Sequence, residues 1–407
     1  MSSWGYFTFG SIRKSHEENT GGKAGRDYKF DREALADFDA GIKADASLGN
    51  GVKGRFHLGL TTAYLVPDHQ STNSVEFLRR RFVPYIIDAA IEKKHVSDSY
   101  EIFAEFGYFP VKYNQNSRNL GEYLFRSGTY YPYLNSGFEM ADKEKLVGIH
   151  GKFTKHFGEK SNFSTDLYFT NDMRDYPVHD FSLSYLLAAN LGQVFQVSAG
   201  AMHAHLVTVD KRKTTPFYDK LLFNGTADKM YDVCLPDYPN EGDTLKYTFR
   251  GTKLMGRFCF DPKPLFGGED GILGNEDLKI YCESAILGVK NYAVWYENRL
   301  ERMPIMAGFN VPTFKLLDVL AIELEHNPSP YTNTAERVWR DRSPLPYVPG
   351  QAGYNLNDDI RWPDGKPDPI TSDDFKWSVY ASKKIGRIRF SGQIASDHLV
   401  RSQFMLG

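Results

Sequence analysis

Residues 38–48 read FDAGIKADASL, and the stretch alternates strictly. Phe38, Ala40, Ile42, Ala44, Ala46 and Leu48 are apolar, while Asp39, Lys43, Asp45 and Ser47 stand between them. A period of two marks a β-strand whose two faces meet different environments. Gly49, Asn50 and Gly51 follow as a tight turn. Phe56, Leu58, Leu60 and Tyr64 then take one side of a second run, with Arg55, His57, Gly59 and Thr61 on the other. The two runs predict a β-hairpin. Their polar sides carry many charges and their apolar sides are continuous. The unit recurs to the end of the chain, and long hairpins in series with the long loops at one end describe a transmembrane barrel.

The totals agree with that reading. At 407 residues the chain is long enough for one large barrel, a single domain over 1–407. A formal net charge of −2 and the lack of a basic stripe with interleaved stacking residues exclude nucleic-acid binding. Mean hydropathy is −0.46, and no run approaches the roughly 18 apolar residues of a membrane helix. Barrel strands hide their hydrophobicity, because every second residue faces the lumen. The 25 Tyr and 29 Phe suit aromatic girdles at two membrane interfaces. Cys234, Cys259 and Cys282 fit neither a zinc motif nor a disulfide framework. Cys259 and Cys282 fall on neighbouring predicted strands and read as free or lipid-facing thiols. No secretory leader precedes Trp4, and since a barrel of this kind requires export, the sequence is read as starting at a mature end with an added Met.

Alternation predicts fifteen strands, over 4–13, 38–48, 55–64, 82–94, 100–109, 146–157, 163–170, 181–191, 195–209, 245–260, 278–289, 303–310, 315–325, 375–383 and 387–397. In the fourth, Tyr85, Ile87, Ala89 and Ile91 are assigned to one face and Asp88 and Glu92 to the other; Pro84 and the Ile86-Ile87 pair argue against a helix there. In the tenth, the apolar parity changes near Gly251, which reads as a bulge or a misplaced boundary. Connections after even-numbered strands are short or moderate, at 49–51, 94–99, 158–160, 192, 261–275, 311–313 and 385–386. After odd-numbered strands they are mostly long, as at 110–144, 210–243 and 326–373. Short turns at one end and long loops at the other are the sidedness of an outer-membrane barrel. The insertion at 110–144, rich in Asn, Gly, Tyr and Arg, is too long for a hairpin loop and too aromatic for a linker, so it is expected to pack against something.

With AEFGYFPVKYNQNSRNLGEYLFRSG at 104–128 leading from the fifth strand into that insertion, the chain resembles the trimeric porins of Gram-negative outer membranes, general or phosphate- and carbohydrate-selective. The resemblance implies an all-β antiparallel up-and-down barrel of about sixteen strands, with the loop after the fifth strand folded inward to narrow the lumen. It further implies a homotrimer in outer-membrane lipid and lipopolysaccharide, passing small hydrophilic solutes such as ions, sugars or phosphate, with no catalysis and no cofactor. The departure is at the C-terminus. Porins have an even strand count, whereas this chain ends SQFMLG just after the fifteenth predicted strand, so either a final strand is absent from it or the count is short by one.

A channel works by lumen width and fixed charge. The insertion offers Arg118, Glu122, Tyr123, Arg126, Tyr130, Tyr131 and Tyr133 as constriction residues: opposed Arg and Glu groups would set a transverse field, and tyrosines would stack on sugar rings or fasten the loop to the wall. On the strands, Lys43, Asp45, Arg55, His57, Asp88, Glu101, Glu105, Asp166 and Glu283 share the inward parity. Facing lipid, such charges would cost up to about 2–4 kcal/mol each at mid-depth. Nothing resembles a nucleophile elbow. His203 and His205 share a strand face without a third ligand and read as rim histidines, so no metal is assigned. The acidic stretch 268–271 and the group Asp358, Asp359 and Asp364 match no calcium-loop consensus. The competing reading of a different class is a surface barrel whose loops 210–243 and 326–373 attach to a polysaccharide or protein; a soluble carbohydrate-binding β protein comes third.

Overall fold

The computed structural model describes residues 2–12, 33–63, 81–125, 144–171, 181–207, 251–266, 271–289, 299–326, 328, 375–395 and 400–406. Their sixteen strands are β1 (Ser2–Ile12), β2 (Glu33–Gly49), β3 (Val52–Ala63), β4 (Arg81–Val96), β5 (Tyr100–Val111), β6 (Glu144–Phe157), β7 (Ser161–Asn171), β8 (Phe181–Leu191), β9 (Phe195–Val207), β10 (Gly251–Phe260), β11 (Ile280–Ile286), β12 (Ile305–Asn310), β13 (Val319–His326), β14 (Phe375–Ile385), β15 (Ile388–Ala395) and β16 (Val400–Leu406). Each strand pairs antiparallel with its neighbours in sequence, and β1 pairs with β16, so the sheet closes. Closure leaves no strand edge unpaired, the condition for crossing a bilayer with strands.

The alternation sorts by side as the charges require. Phe106, Ile149, Phe163, Leu167, Val197, Leu254, Ile280, Leu324 and Trp377 are exposed on the outside, where hydrocarbon takes the place of a protein core. Ser164, Asp166 and Tyr168 on β7, Tyr281 and Glu283 on β11, and Glu323 and Glu325 on β13 are buried on the inside. Inside the barrel an apolar cluster joins Leu120, Tyr123, Leu124 and Phe125, which follow β5, to Tyr168, Leu186, Met255, Tyr281 and Met306 of the wall. The described part of the insertion after β5, up to Phe125, therefore folds inward.

Four details refine the alternation reading. The count of fifteen is short by one: the last seven strand residues, VRSQFML, form β16 and bond to both β15 and β1. Tyr85 and Ile87 do not share the outer face with Ile91. His57 pairs with Asp88 but Leu58 with Ile86, so Ile87 is an extra residue that resets the parity, and it is buried while Ile86 is exposed. β10 pairs with β9 in unbroken register from Gly251 to Phe260, so no bulge lies within the described strand. Cys259 and Cys282 lie on opposite faces, since Phe258 is the residue paired with Cys282. Both are free thiols, Cys259 buried in the lumen and Cys282 half-buried.

Within β5 the backbone at position 107 needs glycine. Gly107 has φ +137°, and a Cβ there would stand 2.3 Å from the Ala89 carbonyl oxygen. Its ladder partner Gly148 has φ +154° and would meet the Phe169 carbonyl oxygen at 2.2 Å. A Cβ on Gly151, three residues on in β6, meets nothing within 4 Å. Gly107→Ala is thus expected to destabilise the folded barrel by roughly 1–3 kcal/mol, the usual range for a side chain forced into such backbone, and Gly151→Ala to leave it unchanged. Urea unfolding of the two variants in detergent checks the difference.

Candidate functional site

The inner segment 112–125 is seated by carboxylates that project from the far wall. Glu323 on β13 accepts three successive backbone N–H groups: Arg118 at 2.5 Å on Oε1, and Asn119 at 2.8 Å and Leu120 at 3.0 Å on Oε2. The Tyr281 hydroxyl donates to it as well, at 2.9 Å. Glu283 on β11 accepts the Tyr113 hydroxyl and the Tyr123 N–H (3.0 Å) on one oxygen and Asn114 Nδ2 (2.7 Å) on the other. Glu325 takes the Tyr123 hydroxyl at 2.8 Å. A buried carboxylate is tolerable only when its lone pairs are filled by donors. Here the segment itself supplies most of them, four from its backbone and three from its side chains.

The segment is built to present those donors. Asn114 Oδ1 accepts from the N–H groups of Asn116 and Ser117, both at 3.3 Å, which curls the chain, and Arg257 on β10 donates to the Tyr113 carbonyl at 2.8 Å. Gly121 (φ +80°) and Glu122 (φ +61°) then reverse the chain, and a Cβ on Gly121 would come within 2.6 Å of the Met306 methyl. Asn116 reaches Gln196 on β9, and Asn119 reaches Ser378 on β14. The seat thus spans the wall from β9 to β14.

Of the expected constriction residues, Arg118 pairs with Glu276 in the β10–β11 connection at 3.0 Å, Glu122 accepts the Asn114 N–H at 3.1 Å, and Tyr123 is fully buried in the seat. Arg126, Tyr130, Tyr131 and Tyr133 lie outside the described residues, as do the loops 210–243 and all but Pro328 and the strand end His326 of 326–373.

Lys43, Asp45, Arg55, His57, Asp88, Glu105 and Asp166 gather into one network over β2–β7, and Glu101 pairs beside it with Lys94. Arg55 is caged by Asp88 (3.0 Å), Glu105 (2.7 Å) and Glu92. His57 lies between Asp45 (3.2 Å) and Asp88 (3.6 Å), Lys43 is 3.7 Å from Asp45, and Lys94 pairs with Glu101 at 2.9 Å. Glu105 continues to His150, and His150 to Asp166, both at 2.8 Å. Lys152 stands 3.8 Å from Asp166 with 39% of its side chain exposed, so solvent reaches the inner wall. Glu283, read as one more wall charge, belongs instead with the seat.

Glu323, Glu325, Arg257, Asn114 and His150 are not singled out by the sequence reading. The parity that selects Glu283 also selects Glu323 and Glu325 in LAIELEH and His150 in GIHGK. No local pattern signals that the acids meet a segment some 200 residues away, as Glu323 does.

These features define the class: a closed sixteen-stranded membrane barrel with a polar inner wall and an inward-folded segment after β5. No family model matches the sequence, and no curated protein matches it. Among solved structures, the chain is similar to engineered variants of the Rhodopseudomonas blastica porin. One aligns at TM-score 0.43 and 8% identity over 100% of this chain and 99% of that one. Another aligns at TM-score 0.42 and 8% identity with the same coverage.

Removing the Glu323 carboxylate leaves three amides and a tyrosine hydroxyl without their acceptor. In Glu323→Ala, amide hydrogen exchange at Arg118, Asn119 and Leu120 is expected to speed up on the order of 10- to 100-fold, matching roughly 1.5–3 kcal/mol for bonds to a charged acceptor. Unchanged exchange at those amides would mean that the segment is held elsewhere.

Proposed function

We propose that the protein is an outer-membrane channel of a Gram-negative bacterium, working without catalysis or cofactor and letting small hydrophilic solutes such as ions, sugars or phosphate diffuse passively. One observation carries this reading: the segment 112–125 is bonded to the β9–β14 side of the barrel, while the β2–β7 side keeps a charged face that water reaches. A barrel serving only as a scaffold for loops has no use for such a face. In a water-filled lumen with low-dielectric walls, fixed charges act on a passing solute far more strongly than in bulk water.

In this reading Arg118, Glu122, Arg126, Tyr130, Tyr131 and Tyr133 form the narrowest zone, and the buried Tyr123 anchors the segment that carries it. Lys43, Asp45, Arg55, His57 and Glu101 face the solute stream across it, backed by the buried Asp88, Glu105 and Asp166. The outer apolar face meets lipid, with lipopolysaccharide in the outer leaflet, and three copies assemble as a trimer.

Planar-bilayer recording from the detergent-purified protein is the test. Discrete, voltage-stable conductance steps are expected. A folded, heat-modifiable barrel that gives no steps would overturn the channel reading and turn attention to the long loops.

A further inference from the structure

His150 is held in a way that a neutral imidazole cannot satisfy. Its Nδ1 lies 2.8 Å from Glu105 Oε1 on β5, and its Nε2 lies 2.8 Å from Asp166 Oδ1 on β7. A neutral ring has one N–H donor and one lone pair, and an ionised carboxylate only accepts. Both contacts are hydrogen bonds only when the trio Glu105–His150–Asp166 holds one proton more than a neutral histidine with two carboxylates. Without that proton, a ring lone pair would face a carboxylate oxygen at 2.8 Å in a nearly buried place.

The same ring supports the inner segment. It stacks on Tyr168 with centroids 4.0 Å apart and planes 8° from parallel. Tyr168 meets Phe125 edge-on at 4.9 Å, and Phe125 meets Tyr113 at 5.6 Å. Tyr113 in turn donates to Glu283 of the seat. A chain of contacts therefore runs from the trio through Tyr168 to both ends of the seated segment.

We infer that the proton held by Glu105, His150 and Asp166 is a switch for the seating of segment 112–125, so that pH sets the gating of the channel. This rests on the channel reading above and names its regulation. The charged groups around the ring frame the switch. Glu105 is shared with Arg55 of β3, which Asp88 and Glu92 of β4 also hold. Asp166 has Lys152 of β6 nearby. Loss of the proton makes the ring withdraw from one carboxylate, which removes the flat support under Tyr168 and frees Phe125 to move.

The test compares wild type with Asp166→Asn between pH 5 and 9.5. An asparagine amide donates to the Nε2 lone pair of a neutral ring, so this variant keeps both hydrogen bonds without the extra proton. Wild-type channels are expected to show one steady level at low pH and to break into sublevels as pH rises, while Asp166→Asn stays steady throughout. Wild-type levels that do not change over this range, or a variant that changes as the wild type does, overturn the switch. If folded protein conducts at no pH, the channel reading fails and the switch is read by near-ultraviolet circular dichroism of the buried tyrosines. A pH transition present in wild type and absent in Asp166→Asn then supports it, and no such difference overturns it.

Discussion

Every backbone N–H and C=O in a lipid-embedded strand must find a partner within the protein, since hydrocarbon offers none. The pairing of β1 with β16 is the place where this chain meets that demand, because it removes the last two open edges. The rest follows. A closed sheet has an inside and an outside, the period of two assigns each residue to one of them, and a residue such as Ile87 that breaks the period must be taken up by a bulge. The register of the sheet leaves the interior, among the described residues, to inward side chains and to segment 112–125.

That length of chain poses the same problem again in another form. Segment 112–125 has no regular ladder of its own, yet it is buried, so its amides need acceptors. Glu283 and Glu323 supply them. Three consecutive N–H groups on one carboxylate are a concave donor arrangement of the kind that binds anions elsewhere, here occupied by the protein's own side chain. The pairing solves two difficulties together, since a carboxylate in the barrel interior would otherwise lack donors and the segment would otherwise lack acceptors.

Across the lumen the arrangement is different in kind. The network from Asp45 to Lys152 is made of side chains on adjacent strands, fixed by register rather than by a crossing segment. Arg55 is the centre of three carboxylates, so the positive charge it lends to the lumen is largely compensated. His150 is where the two halves meet, bonded to the wall network at its edge and stacked toward the seated segment on its face.

By itself, the sequence determined the class of fold. Alternation in stretches such as FDAGIKADASL, and the parity of short and long connections, located fifteen of the sixteen strands and the inner parity of Asp88, Glu105, Asp166 and Glu283. These are local properties with a period of two, and a local reading recovers them. β16 escaped because VRSQFML is short and follows a brief connection where the pattern puts a long one. Only the tertiary structure decided which inner charges hold the segment and which remain with the lumen. Glu283 and Glu105 look alike in sequence, each a glutamate at an inner position of an alternating strand. One is seated under Tyr123 and the other between Arg55 and His150, because the difference depends on where the segment after β5 crosses the barrel, and that contact joins residues far apart along the chain.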